Sequence, residues 1–165
     1  MIRRAKEADA RKIHDAHMYS IQNVCCKDHT PEEVAAWGGR IFDSQREKNW
    51  LNAIRDQHVW VVDLDNEIEG YGHLRVFEKN GIVLGHIHGL YLTPAALGKK
   101  FGYQLSKIMI EEARKANVER LALESTITAH EFYKRIGFSD DGPMITVEIG
   151  GTPIRCFPMA MNLKK

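Results

Sequence analysis

Ala10, Ile13, His14, Ala16, His17 and Ile21 fall near one face at helical spacing, so Glu7 to Asn23 predicts an amphipathic helix after a short strand at Ile2 to Ala5. Thr30-Pro31-Glu32-Glu33 supplies an N-cap threonine, a proline at the first helical position and an acid three residues after the cap. These open a second helix through Val34 to Trp37, which Gly38-Gly39 ends. A third helical patch covers Glu47 to Asp56. The period then changes to two. Runs at 58–64, 67–78 and 82–92 are separated by Asp65-Asn66 and Asn80-Gly81, turn pairs that join antiparallel strands, so a three-stranded meander is expected. Helical spacing returns from Gly102 to Asn117 through Leu105, Ile108, Met109, Glu112, Ala113 and Ala116. A short apolar strand, Val118 to Glu124, leads to a helix that carries Ala129, Phe132, Tyr133 and Ile136 and stops at Gly137. Two last strands, about 138–149 and 152–163, meet at Gly150-Gly151. This order predicts an α/β (α+β) fold with a mixed, mostly antiparallel sheet and helices packed on it.

At 165 residues and with no Pro/Gly-rich linker or repeat, the chain reads as one domain over 1–165. Lys and Arg number 23 against 22 Asp and Glu. That balance leaves no broad positive field, so nucleic acid and membrane surfaces are not expected partners. No apolar run approaches the roughly 20 residues of a membrane span, and the first ten residues lack the apolar core of a secretory signal. A soluble, cytoplasmic protein is expected. Cys25 and Cys26 are adjacent and Cys156 stands alone, which gives neither a disulfide framework nor a metal knuckle, so free thiols are expected.

Three segments carry candidate chemistry. On a strand, His86 and His88 project from the same face and suit proton transfer or metal ligation; two surface histidines are the plainer alternative. Leu97-Gly98-Lys99-Lys100-Phe101-Gly102 is a glycine-bearing turn feeding a helix N-terminus. Its unpaired amides, the dipole and two lysines suit a phosphate, unless it is an ordinary solvated turn. It matches neither a Walker loop nor a dinucleotide fingerprint. Tyr133, in Phe132-Tyr133-Lys134-Arg135-Ile136-Gly137-Phe138, is either a packing aromatic or a proton donor.

Taken in this order, the stretch 86–138 resembles the coenzyme A binding half of the GCN5-related N-acetyltransferase (GNAT) superfamily, most specifically at Ser125 to Phe138. The region with Thr-Pro-Glu-Glu-Val-Ala-Ala-Trp resembles small bacterial members, and the likeness covers nearly all of the chain. The resemblance implies a sheet of six to seven strands, about four helices on its two faces and a splay between the fourth and fifth strands. The family's loop pattern, Gln/Arg-x-x-Gly-x-Gly/Ala, falls on 97–102, with Leu97 in place of the Gln or Arg and Lys100 in place of the first glycine. Lys100 is thus expected in a conformation that glycine usually supplies.

The implied activity is acetyl-CoA-dependent transfer to a primary amine of a small molecule, less so of a peptide, with no metal; a homodimer is compatible with it. His86-Ile-His88 is similar to the His-x-His strand of serotonin (arylalkylamine) N-acetyltransferases, which implies His86 and His88 as general base and Tyr133 as general acid. Implied cofactor contacts are Leu90, Tyr91, Leu92, Leu97, Gly98, Lys99, Lys100, Phe101, Gly102, Tyr103, Thr126 and Tyr133. Glu124 is a second candidate base, or else a solvated strand-end charge. Ser125 and Thr126 are expected to cap the last helix. The vicinity of Cys25 to His29 and the Gly150-Gly151 hairpin are expected to wall the acceptor pocket. Rival readings are a CoA-binding sensor without catalysis and a metal-binding barrel using His86, His88 and His73.

Overall fold

Val59-Trp60-Val61-Val62 breaks the polar–apolar alternation because its strand, β2 (His58–Leu64), is covered on both faces. Val59 and Val61 pack into one buried cluster, Trp60 and Val62 into another. The computed structural model describes residues 1–164; Lys165, the last residue of the expected domain, lies outside the described residues. In it β2 belongs to one eight-stranded sheet with β1 (Ile2–Arg4), β3 (Glu67–Lys79), β4 (Ile82–Leu92), β5 (Arg120–Thr126), β6 (Ser139–Asp140), β7 (Ile145–Ile149) and β8 (Thr152–Asn162). The spatial order is β1-β2-β3-β4-β5-β8-β6, with β7 also on β8. Among the described residues only β4 and β5 pair in parallel.

The helices are α1 (Ala10–Asn23), α2 (Pro31–Gly38), α3 (Ser44–Asp56), α4 (Phe101–Lys115) and α5 (His130–Ile136). Leu105, Met109 and Ala113 of α4 and Tyr133 of α5 join Trp60, Val62, Leu74, Ile87, Leu121 and Leu123 in the cluster on one face. On the other face, Ile13 and Ala16 of α1 and Ala53 of α3 pack on Val59, Val61, Ile68 and Tyr71. The meander and the placement of helices on both faces match the hydrophobic pattern.

Three local differences have physical causes. The expected strand 138–149 is two strands, because Asp141-Gly142-Pro143 interrupts it with Gly142 at φ 124° and a proline that cannot donate to a ladder. This raises the strand count to eight. The third helical patch is a full helix from Ser44, opened by the Asp43 carboxylate accepting the Arg46 amide at 2.8 Å, which makes five helices rather than about four. The N-cap of α5 is Ala129, so Ser125 and Thr126 do not occupy that position. Thr126 Oγ1 instead accepts the Ala129 amide at 3.1 Å across the intervening turn, and Ser125, buried, donates to the Thr126 carbonyl.

The capping box at Thr30 forms as expected, and its acid does more than cap. Buried Glu33 accepts the Thr30 amide at 2.8 Å and both arms of Arg155 at 3.0 and 3.1 Å, which ties α2 to β8. Arg155, followed by the Thr30 amide, pulls the Glu33 carboxyl down to about 2. A depressed carboxyl stabilises the fold above its unfolded value near 4.5 and loses that contribution as pH falls towards 2. Glu33→Gln is therefore expected to cost about 1.5–3 kcal/mol at pH 7 and to flatten the fall in Tm between pH 5 and 2. A variant whose Tm tracks wild type through that window would refute the role.

Candidate active site

The alternation along β4 changes phase at one residue. Leu74 pairs with Ile87 and His73 with Gly89, leaving His88 as an extra residue, a β-bulge. His86 and His88 consequently share the α1/α3 face with Gly89 and Tyr91, while Ile87, Leu90 and Leu92 turn to the α4 face. The rings of His86 and His88 lie 4.6 Å apart, and His73 of β3 lies 5.0 Å from His88. The β4–β5 ladder holds only four pairs and stops at Ile87 and Leu123, so from His88 and Glu124 onward the strands part. That parting is the splay between the fourth and fifth strands.

Glu124 reaches back over this end of the ladder, its Oε2 2.9 Å from His86 Nε2. His86 Nδ1 is buried and without a hydrogen-bond partner. The contact with His86 holds the Glu124 carboxyl below the usual range. Burial, then the neighbouring His88 and His86, pull His73 down to about 3, and it pairs with Gln57 Oε1 at 2.7 Å. Desolvation, then the charges of His86 and Arg75, pull His88 below its ordinary value although its side chain opens to solvent in the cavity. At neutral pH His73 and His88 are therefore neutral rings. Among the described residues, no three His, Cys, Asp or Glu side chains are arranged to hold a metal ion.

Two cavities flank the bulge. A groove of about 200 Å³ runs from the α4 entrance to the splay, lined by Leu90, Tyr91, Leu92, Leu97, Gly102 and Thr126, six of the expected cofactor contacts. Ser20, Val24 and Cys25 close one side and Thr128, Ala129 and Phe132 the other. Ser20 Oγ donates to the Leu92 carbonyl at 2.7 Å, which fixes α1 to the end of β4. The second cavity, about 690 Å³, is lined by His17, Arg40, Asn49, Trp50, Asn52, Ala53, Gln57, Tyr71, His73, Arg75 and His88. His17 tilted against Tyr91, at 4.2 Å, and Tyr91 stacked on Tyr71, at 5.7 Å, stand between the two.

Of the segments expected to wall the acceptor pocket, Cys25 to His29 and Gly150-Gly151, neither lines the larger cavity, and Cys26 and His29 line a separate hollow beside α2. Cys25 lines the smaller groove, and a Cβ on either glycine would meet nothing within 4 Å, so that turn stands open to solvent. The larger cavity is enclosed instead by α1, the segment at Arg40, α3, β3 and β4. No local spacing marks Arg40, Trp50 or Arg75 in the sequence. The available signal was the pair His14 and His17 on the buried face of α1.

The turn before α4 takes the conformation demanded of it. Gly98 has φ 72°, and Lys100 is left-handed at φ 63°, ψ 8°. The first intrahelical bond runs from the Gln104 amide to the Lys100 carbonyl at 3.0 Å, so the amides of Phe101, Gly102 and Tyr103 have no acceptor within the helix. These donors, the positive helix end and the exposed Lys99 and Lys100 fit a diphosphate group. Exposed Tyr103 lies on the outer face of α4 with Lys107. Lys100→Gly is expected to relieve about 1 kcal/mol of strain, raising the Tm of the free protein by about 2–4 °C, while weakening CoA binding about fivefold through loss of the charge. Both changes in the same direction would contradict this.

Tyr133 is buried beside Phe132 and Phe138, and Phe132 rather than Tyr133 lines the groove. Burial raises the phenols of Tyr71, Tyr91 and Tyr133, so all three remain neutral donors. Burial also pushes the Cys25 thiol up to about 12, which keeps it protonated at neutral pH. All three cysteines are free.

A family model of the acetyltransferase (GNAT) domain matches residues 25–163. The chain belongs to the GNAT acetyltransferase family. It is an acyltransferase. This GNAT protein is 27% identical over 154 residues to "Probable glucosamine 6-phosphate N-acetyltransferase 2" of Oryza sativa subsp. japonica, covering 88% of this chain and 86% of the relative. Its fold superposes on a GCN5-related N-acetyltransferase from Rhodopseudomonas palustris with a TM-score of 0.82, at 21% identity over 99% and 95% of the two chains. It also superposes on the PaiA N-acetyltransferase of Thermoplasma acidophilum, solved with coenzyme A, with a TM-score of 0.74 at 17% identity over 98% of each chain. In the described residues no helix is long and apolar enough to cross a membrane.

Proposed function

We propose that this GNAT protein acetylates a primary amine of a small molecule by direct attack on the thioester. The observation that carries the reading is the placement of a groove for the co-substrate and a histidine-lined cavity on the two sides of one bulged strand. Acetyl-CoA supplies an acetyl group activated as a thioester. The α4 amides with Lys99 and Lys100 hold the diphosphate, and the β4 backbone at Leu90 to Leu92, free of β5 beyond the splay, holds the pantetheine arm and polarises the acetyl carbonyl. His88 faces the acceptor and takes the amine proton during attack, directly or through water, while His86, hydrogen bonded to Glu124, backs it. As the N–C bond forms and the C–S bond breaks, the departing sulfur takes up a proton; the family motif assigns the donor to Tyr133, which here sits behind Phe132 rather than on the groove. No covalent enzyme intermediate is needed, in keeping with a protonated Cys25.

Acetyl-CoA at about 100 times its Kd is expected to stabilise the fold by about 2.7 kcal/mol, a rise in Tm of about 5–10 °C. A primary-amine panel should then release free CoA thiol. No thermal shift at millimolar acetyl-CoA, with the protein folded, would sink the reading.

A further inference from the structure

Beyond the larger cavity's histidines lies a second chemical feature. Arg40 lines it, and a continuation that shares His17, Arg40, Asn49 and Trp50 adds Arg46. Arg75 lies at the other end with His73 and His88. Not one Asp or Glu is among the residues lining either part. Elsewhere Arg3, Arg11, Arg55, Arg120 and Arg155 each hold a carboxylate, while Arg4, Arg114 and Arg135 do not. Among the described residues, Arg40, Arg46 and Arg75 pair with none.

The Arg40 guanidinium is fixed in place. Arg40 Nε donates to the Trp37 carbonyl at 2.8 Å, and the Arg40 carbonyl meets His14 Nε2 at 2.9 Å, which sets the segment between α2 and α3 against α1. Arg46 Nε is buried and has no hydrogen-bond partner, an unmet donor at the cavity edge. Burial, then the nearby Arg46, disfavours the charge on Arg40, and neither guanidinium is within ion-pair distance of a carboxylate. Planar guanidinium forks of this kind fit phosphate or carboxylate oxygens bidentately.

We infer that the acceptor is an amine carrying an anionic group, a phosphate or a carboxylate, which Arg40 and Arg46 bind while the amine lies at His88. This rests on the acetyltransferase reading of the same site and adds the substrate class. A dianion between the two arginines offsets their repulsion, satisfies the orphaned Nε and fixes which end of the acceptor meets the thioester. The same lining disfavours polyamines and other polycations, which would place ammonium groups among arginines without a single acid to meet them. Arg75, beside the reacting amine, further disfavours its ammonium form.

The test separates this inference from the reaction it rests on. With CoA saturating the groove, so that the diphosphate turn is filled, O-phosphoethanolamine and ethanolamine are titrated calorimetrically. The phosphorylated amine should bind at least about tenfold more tightly. Arg46→Gln should remove that advantage and leave ethanolamine unaffected. Arg40→Gln should do the same; if losing the Trp37 contact unfolds it, Arg46→Gln carries the test, because its side-chain Nε has no partner to lose. In turnover with acetyl-CoA, glucosamine 6-phosphate should exceed glucosamine in kcat/KM by about tenfold. Equal binding of the phosphorylated and plain amines, or a preference for putrescine, overturns the inference and leaves acetyl transfer standing. Anion binding that depends on Arg46, with no acetyl transfer to any amine, upholds the anion site and overturns the transferase reading.

Discussion

Replacing His86 and His88 together by alanine is expected to lower kcat at pH 7 by about 10²- to 10⁴-fold, with the deficit shrinking above pH 8. A primary amine with a solution pKa near 10.4 is almost wholly protonated at neutrality, so attack needs a nearby group to take the proton. Desolvation, then His86 and Arg75, lower His88 to about 4, so its ring is neutral at working pH but a weak base that takes the proton as the N–C bond forms rather than before it. The wild-type rate should accordingly follow the protonation of the acceptor, not that of the histidine, between pH 6 and 8. His88→Ala alone should account for most of the loss, since His88 lines the cavity and His86 is turned to Glu124. Glu124→Gln keeps the hydrogen bond but removes the charge behind His86, and should give a smaller loss. The measurement is kcat against pH for each variant; an unchanged profile in the double variant would move the base to Glu124.

Gly89→Ala should be the most damaging single-atom addition at the bulge. Its Cβ would lie 2.7 Å from the Tyr71 hydroxyl and 3.1 Å from two ring atoms, and Tyr71 is 2% exposed, packed against Trp50 and Tyr91. Overpacking at a site with no room costs about 1–3 kcal/mol, a fall in Tm of about 3–10 °C. Tyr71→Phe removes the oxygen that is struck. The double variant should therefore be less destabilised than the two single variants added together. Strict additivity in the melting data would show that Tyr71 is not what Gly89 accommodates.

How much of this was legible in the sequence differs from segment to segment. β2 and β4 fall on the residues that alternation and turn pairs mark, because Asp65-Asn66 and Asn80-Gly81 provide the left-handed backbone that tight hairpins require, with Asp65, Asn66, Asn80 and Gly81 all at positive φ. Thr30-Pro31-Glu33 and Lys100 were legible for the same reason: each is a local backbone requirement written in adjacent residues. The shared face of His86 and His88 was legible, but the bulge after them was not. Uniform alternation would place Leu90 and Leu92 with the histidines, and only the register against β3 reveals the extra residue. The larger cavity was illegible for a different reason. Arg40, Trp50, Gln57, Tyr71 and Arg75 come from three separate segments, and packing of α1 and α3 on the sheet alone brings them together. The partner of Glu33 likewise lies 122 residues away in Arg155.

Trp50 gives the chain its own optical reporter. Trp37 and Trp60 are buried, at 5% and 7% exposure, in the packing beneath the helices and under Arg4. Trp50 alone among the three tryptophans lines the larger cavity, edge-on to Tyr71 at 5.2 Å and 6.2 Å from His73. A colourless acceptor that displaces solvent from this indole, or changes the charge on the histidine beside it, alters its emission while the other two remain a constant background. Occupancy of the cavity can thus be followed in native protein by fluorescence, without a label and without turnover.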